Sequence, residues 1–203
     1  MPFIPLMIDI SKKQIVVIGG GKVAERRVST LVHYATDIHI ISPTISEHLR
    51  HMVEQDGIYW HAKSFEAKDI KQADLIIAAT NSSEVNQQIL ASKPQHAFIN
   101  MASVAEEGDI VFPSILRRGK LTLSISTNGA SPKLTAQILS EFKERFDSSY
   151  EDYVDFLYEC RQHIKQTQLS KSQKEDFLKM VLTRPYREKN KQLEMIKRLE
   201  SMK

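Results

Sequence analysis

Three consecutive glycines, Gly19, Gly20 and Gly21, follow the β-branched run Ile15, Val16, Val17 and Ile18 and precede a helical pattern opening at Lys22 and Val23. Each position suits one part of a dinucleotide grip. Gly19 permits a tight turn off the strand, Gly21 lets the backbone approach a pyrophosphate with no Cβ in the way, and Ala24 keeps the helix close to the sheet. The helix N-terminus offers unpaired N–H groups, and the macrodipole favours an anion there. A glycine turn alone is weak. Here it stands between a strand and a helix, the context the motif requires.

The elements that position this turn repeat along the chain. Asp37 to Ser42 reads as a second strand closed by Pro43, then comes a helix over residues 44–56 capped by Thr44 or Ser46. Strands follow over residues 58–61, 73–80 and 97–101, with a helix over 84–91. Strands alternating with helices predict a doubly wound parallel sheet, whose ligands sit at the carboxyl ends of its strands. Gly19 to Val23, the group Ser42, Pro43 and Thr44, the pair Thr80 and Asn81, and the stretch Asn100 to Ser103 are therefore expected to converge. Ser42 stands where an acidic residue would grip a ribose 2′-hydroxyl, and no arginine follows to clamp a 2′-phosphate; NAD is favoured over NADP.

Beyond residue 110 the pattern changes. Residues 110–116 and 120–127 flank Arg117, Arg118 and Gly119, and the second segment alternates as a half-buried strand does. Asn128 and Gly129 mark a turn. Ser131 reads as a helix N-cap with Pro132 at the first helical position. From Tyr150 onward the chain reads as helical, its charged last helix as a solvated or partner-facing tail. The expected division is a dinucleotide-binding domain over 1–113, a small α+β dimerisation segment over 114–149 and a helical C-terminal domain over 150–203.

Composition sets limits. The 203 residues are 41% hydrophobic and 26% charged, with a net charge of +3, which fits a globular chain. No dense basic stripe argues for nucleic acid and no apolar run is long enough for a bilayer. The N-terminus has no basic n-region and reads as an edge strand from Leu6 to Ile10 rather than as a secretory signal. A lone cysteine, Cys160, excludes an intrachain disulfide. The expected location is cytoplasmic. His48 and His51 share a helix face, but structural zinc wants four ligands and no third is evident, so no metal site is expected.

The sequence resembles the precorrin-2 dehydrogenase family, which includes the amino-terminal half of siroheme synthases. The resemblance rests on Gly19 to Arg27, on Ala78 to Asn81 followed by Val85, Asn86 and Gln87, on Phe112, Pro113 and Ser114, on Arg118 and Gly119, and on Ser124 to Lys133. It implies NAD-dependent dehydrogenation of precorrin-2 to sirohydrochlorin by a homodimer, with residues 110–142 crossing to the partner. Precorrin-2 is a polycarboxylate, and Arg117, Arg118, Thr127 and Ser131 are the substrate-binding residues the resemblance implies. The family usually carries an aspartate shortly after the asparagine that matches Asn100. Ser103 and Val104 stand there, and Asp109 is the nearest carboxylate after Glu106 and Glu107 that could serve as acid–base group; Ser103 and Asp109 are the expected catalytic positions. The missing aspartate argues against added ferrochelatase activity and also motivates a rival reading, a non-catalytic sensor of NAD or tetrapyrrole.

Overall fold

Buried β-branched runs build the first unit. β1 (Ile15–Ile18) and β4 (Leu75–Ala78) are buried at every residue, as strands covered on both faces must be. With β2 (Ile38–Ile41), β3 (Tyr59–His61) and β5 (Phe98–Met101) they form a parallel sheet in the order β3-β2-β1-β4-β5. The period of two sorts β1 between two cores. Ile15 and Val17 pack with Ala24, Val28, Leu31, Leu49 and Met52, while Val16 and Ile18 pack with Ile70, Ile76, Ile89 and Ile99. The computed structural model describes residues 3–202 in two compact units, one ending at Phe112 and one beginning at Pro113.

Helices α1 (Lys22–Leu31), α2 (Glu47–Gln55) and α3 (Ser83–Ser92) connect the strands. Of the two caps the sequence offered for α2, Ser46 is the one used; its Oγ accepts from Leu49 N at 3.3 Å. The connection from β3 to β4 contains a 3₁₀ turn, Ala67–Ile70, rather than an α-helix. Glu66 and Asp69 cap each other there, and Lys63 binds both carboxylates at 2.6 and 2.8 Å.

The expected edge strand from Leu6 to Ile10 does not form. Leu6, Met7 and Ile8 are exposed and pair with no strand, and only Ile10 packs on the core. One edge of β5 is taken instead by Asp109 and Ile110, whose N–H groups both donate to Ile99 O at 2.9 and 3.2 Å.

In the second unit β6 (Ser114–Arg118) and β7 (Leu121–Ile125) make an antiparallel ribbon turning at Gly119, which adopts φ +54°. α4 (Pro132–Arg145) follows, then α5 (Ser149–Gln166), α6 (Lys171–Met180) and α7 (Lys189–Glu200). Residues 114–149 and the helices after them, expected as separate parts, lie in one compact unit; residues 1, 2 and 203 of the expected bounds fall outside the described residues. The last helix is no solvated tail. Met195 and Leu199 of α7 are buried with Tyr153, Phe156, Cys160 and Ile164 of α5 and with Phe177 of α6. Burial pushes the Cys160 thiol up to about 12, so it stays protonated and acts as a packing residue.

Candidate functional site at the carboxyl ends of the parallel strands

The turn after β1 is locked from both sides. Gly19 has φ +120°, and a Cβ there would stand 2.3 Å from Ala79 O, at the end of β4. At Gly20 a Cβ would stand 2.0 Å from Thr44 O and 2.9 Å from Ser42 Oγ, after β2. Ser46 N donates to Gly20 O at 2.9 Å and ties the loop to the start of α2. The loops after β1, β2 and β4 thus interlock through backbone, which only glycine permits at the first two positions.

Gly21 differs. A Cβ built there meets nothing within 4 Å. Gly21 is also the N-cap of α1 and supplies no side-chain cap, so the first-turn N–H groups of Lys22, Val23 and Ala24 receive none. An open face over uncapped donors fits a pyrophosphate, and a bound group is what would require glycine at this position. Val23, 39% exposed, lies on the same first turn. Ser46 Oγ donates to Glu25 Oε2 at 2.6 Å, which fixes the relation between the starts of α1 and α2.

Ser42 is not placed to grip a ribose. It is buried, its hydroxyl donates to Thr44 O at 2.7 Å, and its carbonyl accepts from Trp60 Nε1 at 2.9 Å. Its hydroxyl holds the loop shape, and Thr44 offers its backbone to Gly20.

Across the switch point between β1 and β4, Thr80 and Ser103 are joined by a motif residue to which the sequence assigned no site role. Asn86 is buried on α3; its Oδ1 lies 2.9 Å from Thr80 Oγ1, and its Nδ2 donates to Thr80 O at 3.2 Å and to Ser103 Oγ at 3.5 Å. Its neighbour Gln87 donates to Glu107 Oε2 at 2.9 Å. The two amides hold the loop after β5 beside the end of β4. Asn86 stands in the sequence as part of the Val85, Asn86 and Gln87 stretch that carries the resemblance, with no role assigned to it there. Asn81 is exposed on the turn between β4 and α3.

Asn100 is 2% exposed; its Nδ2 donates to Ile110 O at 3.0 Å, and its Oδ1 has no partner among the described residues. Asp109 holds the same returning segment. Its Oδ2 accepts from Ile99 N at 3.1 Å and lies 3.1 Å from Lys93 Nζ. One oxygen of the expected acid–base carboxylate, Oδ2, is therefore engaged as a clasp on β5, shared between a backbone N–H and an ammonium, while the side chain stays 41% exposed.

In the second unit the expected substrate-binding groups have local partners. Arg118 Nε donates to Phe146 O and Asp147 O at 2.9 and 3.1 Å, and its NH1 donates to Arg117 O at 3.0 Å. The guanidinium thereby ties the ribbon to the C-cap carbonyl of α4 and to the next one in the connection to α5. Arg117 Nε donates to Gly119 O at 3.2 Å. Ser131 Oγ accepts from Leu134 N at 3.2 Å, and Ser131 N donates to Thr127 Oγ1 at 3.1 Å, so Thr127 and Ser131 build the start of α4. Asn128 and Gly129 turn the chain before it with φ 50° and 84°.

Family profiles match three stretches of the chain. A family profile described as NAD(P)-binding matches residues 6–114, one described as sirohaem biosynthesis protein central matches 118–139, and one described as SirC C-terminal domain matches 150–195. A precorrin-2 dehydrogenase of Bacillus subtilis is 36% identical over 158 residues, which is 78% of this chain and 98% of that protein. A precorrin-2 dehydrogenase of Priestia megaterium is 33% identical over 199 residues, 98% of each chain. The solved structure titled SirC, precorrin-2 dehydrogenase superposes with a TM-score of 0.85 at 32% identity, covering 98% of this chain and all of that one.

Proposed function

The chain belongs to the precorrin-2 dehydrogenase family, and on that premise we propose how its own residues serve the oxidation of precorrin-2 to sirohydrochlorin in siroheme biosynthesis. It is an oxidoreductase that uses NAD. The observation that carries the reading is the interlocked glycine loop, open at Gly21 over uncapped helix donors, in a chain that aligns from end to end with precorrin-2 dehydrogenases.

Bound NAD⁺ supplies the hydride acceptor; the protein supplies position and electrostatics. In our reading the N–H groups of Lys22 and Val23 face the pyrophosphate. Gly19, Gly20, Ser42, Pro43 and Thr44 hold the rim on the adenosine side, and Thr80, Asn81 and Asn100 hold the nicotinamide side. Ser103, fixed through Asn86, occupies the place of the family's aspartate and offers a hydroxyl in its stead. Asp109 acts on catalysis through the loop it clasps. The proton that leaves precorrin-2 goes to solvent, directly or through the Ser103 hydroxyl. With no carboxylate at position 103 to strip pyrrole protons, dehydrogenation rather than iron insertion is the activity supported. Arg117, Thr127 and Ser131 remain our assignment for the carboxylate-binding side, with Arg118 holding the end of α4 beside them.

A homodimer is part of the proposal. Two-stranded ribbons are marginal alone, and Leu121, Leu123 and Ile125 of β7 are only half-buried. Along the fourteen residues of α4 only Thr135 is buried, and Leu134 is 46% exposed. A second copy would cover these positions. A cytoplasmic location suits an NAD-dependent enzyme with one cysteine; among the described residues no helix is long and apolar enough to cross a membrane.

The test is anaerobic turnover of enzymatically prepared precorrin-2 with NAD⁺, following NADH formation and the sirohydrochlorin spectrum. Equimolar NADH and sirohydrochlorin are expected. Binding of both ligands with no turnover would replace this reading with the sensor.

A further inference from the structure

Outside the dinucleotide site, the outer edge of the sheet carries a chain of titratable groups that the reaction does not use. His39 on β2 and His61 on β3 project from the same sheet face, two register positions apart, since His39 pairs with Tyr59 and Ile41 with His61. His39 Nδ1 lies 3.0 Å from His61 Nε2, with the rings 16° from coplanar. On its other side His39 Nε2 lies 2.9 Å from Asp37 Oδ1, and Gln14 Nε2 approaches Asp37 Oδ2 at 3.4 Å. The Tyr59 ring stacks on His39 with centroids 4.8 Å apart.

Each of these contacts does something for a metal ligand. A carboxylate on the far nitrogen fixes the imidazole tautomer and ring orientation, as in carboxylate–histidine–metal arrangements, so the Nδ1 lone pair of His39 faces away from Asp37 and toward His61. The stacked tyrosine holds the ring plane. Two imidazole nitrogens each about 2.0–2.1 Å from one ion, at the angles of a tetragonal or tetrahedral centre, stand about 2.8–3.4 Å from each other. The observed 3.0 Å lies within that span. His61 is exposed and free to turn its lone pair toward an ion, while His39 is half-buried and held.

We propose that His39 Nδ1 and His61 Nε2, backed by Asp37, form a two-nitrogen site for copper(II) or nickel(II). Among the described residues no set of three His, Cys, Asp or Glu side chains stands close enough to hold an ion. Water completes the coordination, which suits the tetragonal N,O preference of copper(II) and nickel(II) better than zinc with its closed four-ligand sites. With His39 Nε2–H on Asp37, the hydrogen between the rings belongs to His61 Nε2; on binding, it is exchanged through water for one on His61 Nδ1, so both ligands are neutral imidazoles and no net proton is released.

Trp60, the only tryptophan in the chain, sits between Tyr59 and His61 on β3 and reports on the site. Copper(II) sulfate titrated into the untagged full chain, in a buffer that does not chelate, should quench Trp60 fluorescence saturably at one ion per chain, with matching calorimetric stoichiometry. His61→Ala removes an exposed ligand and should weaken binding at least tenfold. Asp37→Asn, which keeps the shape but not the charge, should weaken it by about 10–100-fold. A His48→Ala/His51→Ala double variant, which removes the other close histidine pair on α2, should bind like the parent. NAD⁺ binding by each variant checks that the sheet is intact. Unchanged copper binding in His61→Ala, or loss of binding in the His48→Ala/His51→Ala variant, overturns the assignment.

Discussion

Gly20 and Gly21 are neighbours of identical chemistry with opposite reasons to be glycine. At Gly20 a methyl group would overlap the backbone of Thr44; at Gly21 it would stand in open space, on a backbone with φ −89° and ψ −171° that alanine adopts freely. Gly21→Ala should therefore change the melting temperature little, since the restriction of the unfolded chain, worth about 0.4–1 kcal/mol, is offset by alanine's poorer fit at an N-cap, yet lower NAD⁺ affinity at least tenfold. Gly20→Ala should lower both. Thermal melts beside calorimetric NAD⁺ titrations separate the two, and equal affinity in Gly21→Ala and the parent would remove the pyrophosphate from this helix end. Asp109 admits a similar separation. As a clasp on Ile99 N–H it is replaceable by asparagine, whose Oδ1 still accepts, whereas alanine leaves the N–H without its partner at a cost of about 1–3 kcal/mol. Asp109→Asn should turn over precorrin-2 at a rate within a few-fold of the parent, and Asp109→Ala should melt lower. Normal stability with abolished turnover in Asp109→Asn would restore this carboxylate as the base.

Among the elements, the 3₁₀ turn between β3 and β4 is anchored by buried Ile70 and carries a charge network on its outer side. Lys63 and Lys68 beside Glu66 lower its carboxyl from an ordinary 4.5 to about 2. A carboxyl depressed on folding stabilises the native state above its unfolded value and loses that contribution as pH falls through its folded value. The support is thus full above about pH 4.5 and fades toward about 2. Melting temperatures of the parent should fall more steeply than those of Glu66→Gln between those limits, and parallel curves would show that the network is not coupled to folding. This turn was hidden in the sequence because its cap depends on Glu66 and Asp69 bonding each other rather than on an apolar stripe. The strands were legible for the opposite reason: Ile15–Ile18 and Leu75–Ala78 are buried on both faces, and continuous β-branched or apolar runs say so directly. The segment from Leu6 to Ile10 shows the limit of that signal, since its Leu6, Met7 and Ile8 stand exposed where no strand edge receives them and only Ile10 packs on the core. In α7 the stripe of Met195 and Leu199 was masked by the lysines and glutamates around it. Arg118 read as a free charge for substrate because the carbonyls it serves, Phe146 and Asp147, lie 28 and 29 residues away. Arg118→Ala should consequently lower the melting temperature, by the equivalent of about 1.5–3 kcal/mol for a charged hydrogen bond, a loss visible without substrate.

At the scale of the molecule, the site was legible in outline through topology: a parallel sheet in the order β3-β2-β1-β4-β5 places its ligand at the carboxyl ends around β1 and β4. Which side chain joins Thr80 to Ser103 was not, because the burial of Asn86 is a property of the assembled sheet. The same holds for the second unit, whose ribbon and α4 leave apolar side chains half-covered. Burying Leu134 against a second copy would contribute about 1.5–3 kcal/mol per side chain, and an ionised carboxylate in its place carries a desolvation cost larger than that gain. Leu134→Glu should therefore shift the solution mass of the chain from about twice 23.3 kDa toward 23.3 kDa, as sedimentation equilibrium would register. NAD⁺ affinity should persist in that monomer, because the glycine loop and the strands around it lie wholly within the first unit. Precorrin-2 turnover should fall with the dimer if the partner completes the substrate side. A parent that sediments as a monomer and turns over precorrin-2 would show that one chain builds the entire site.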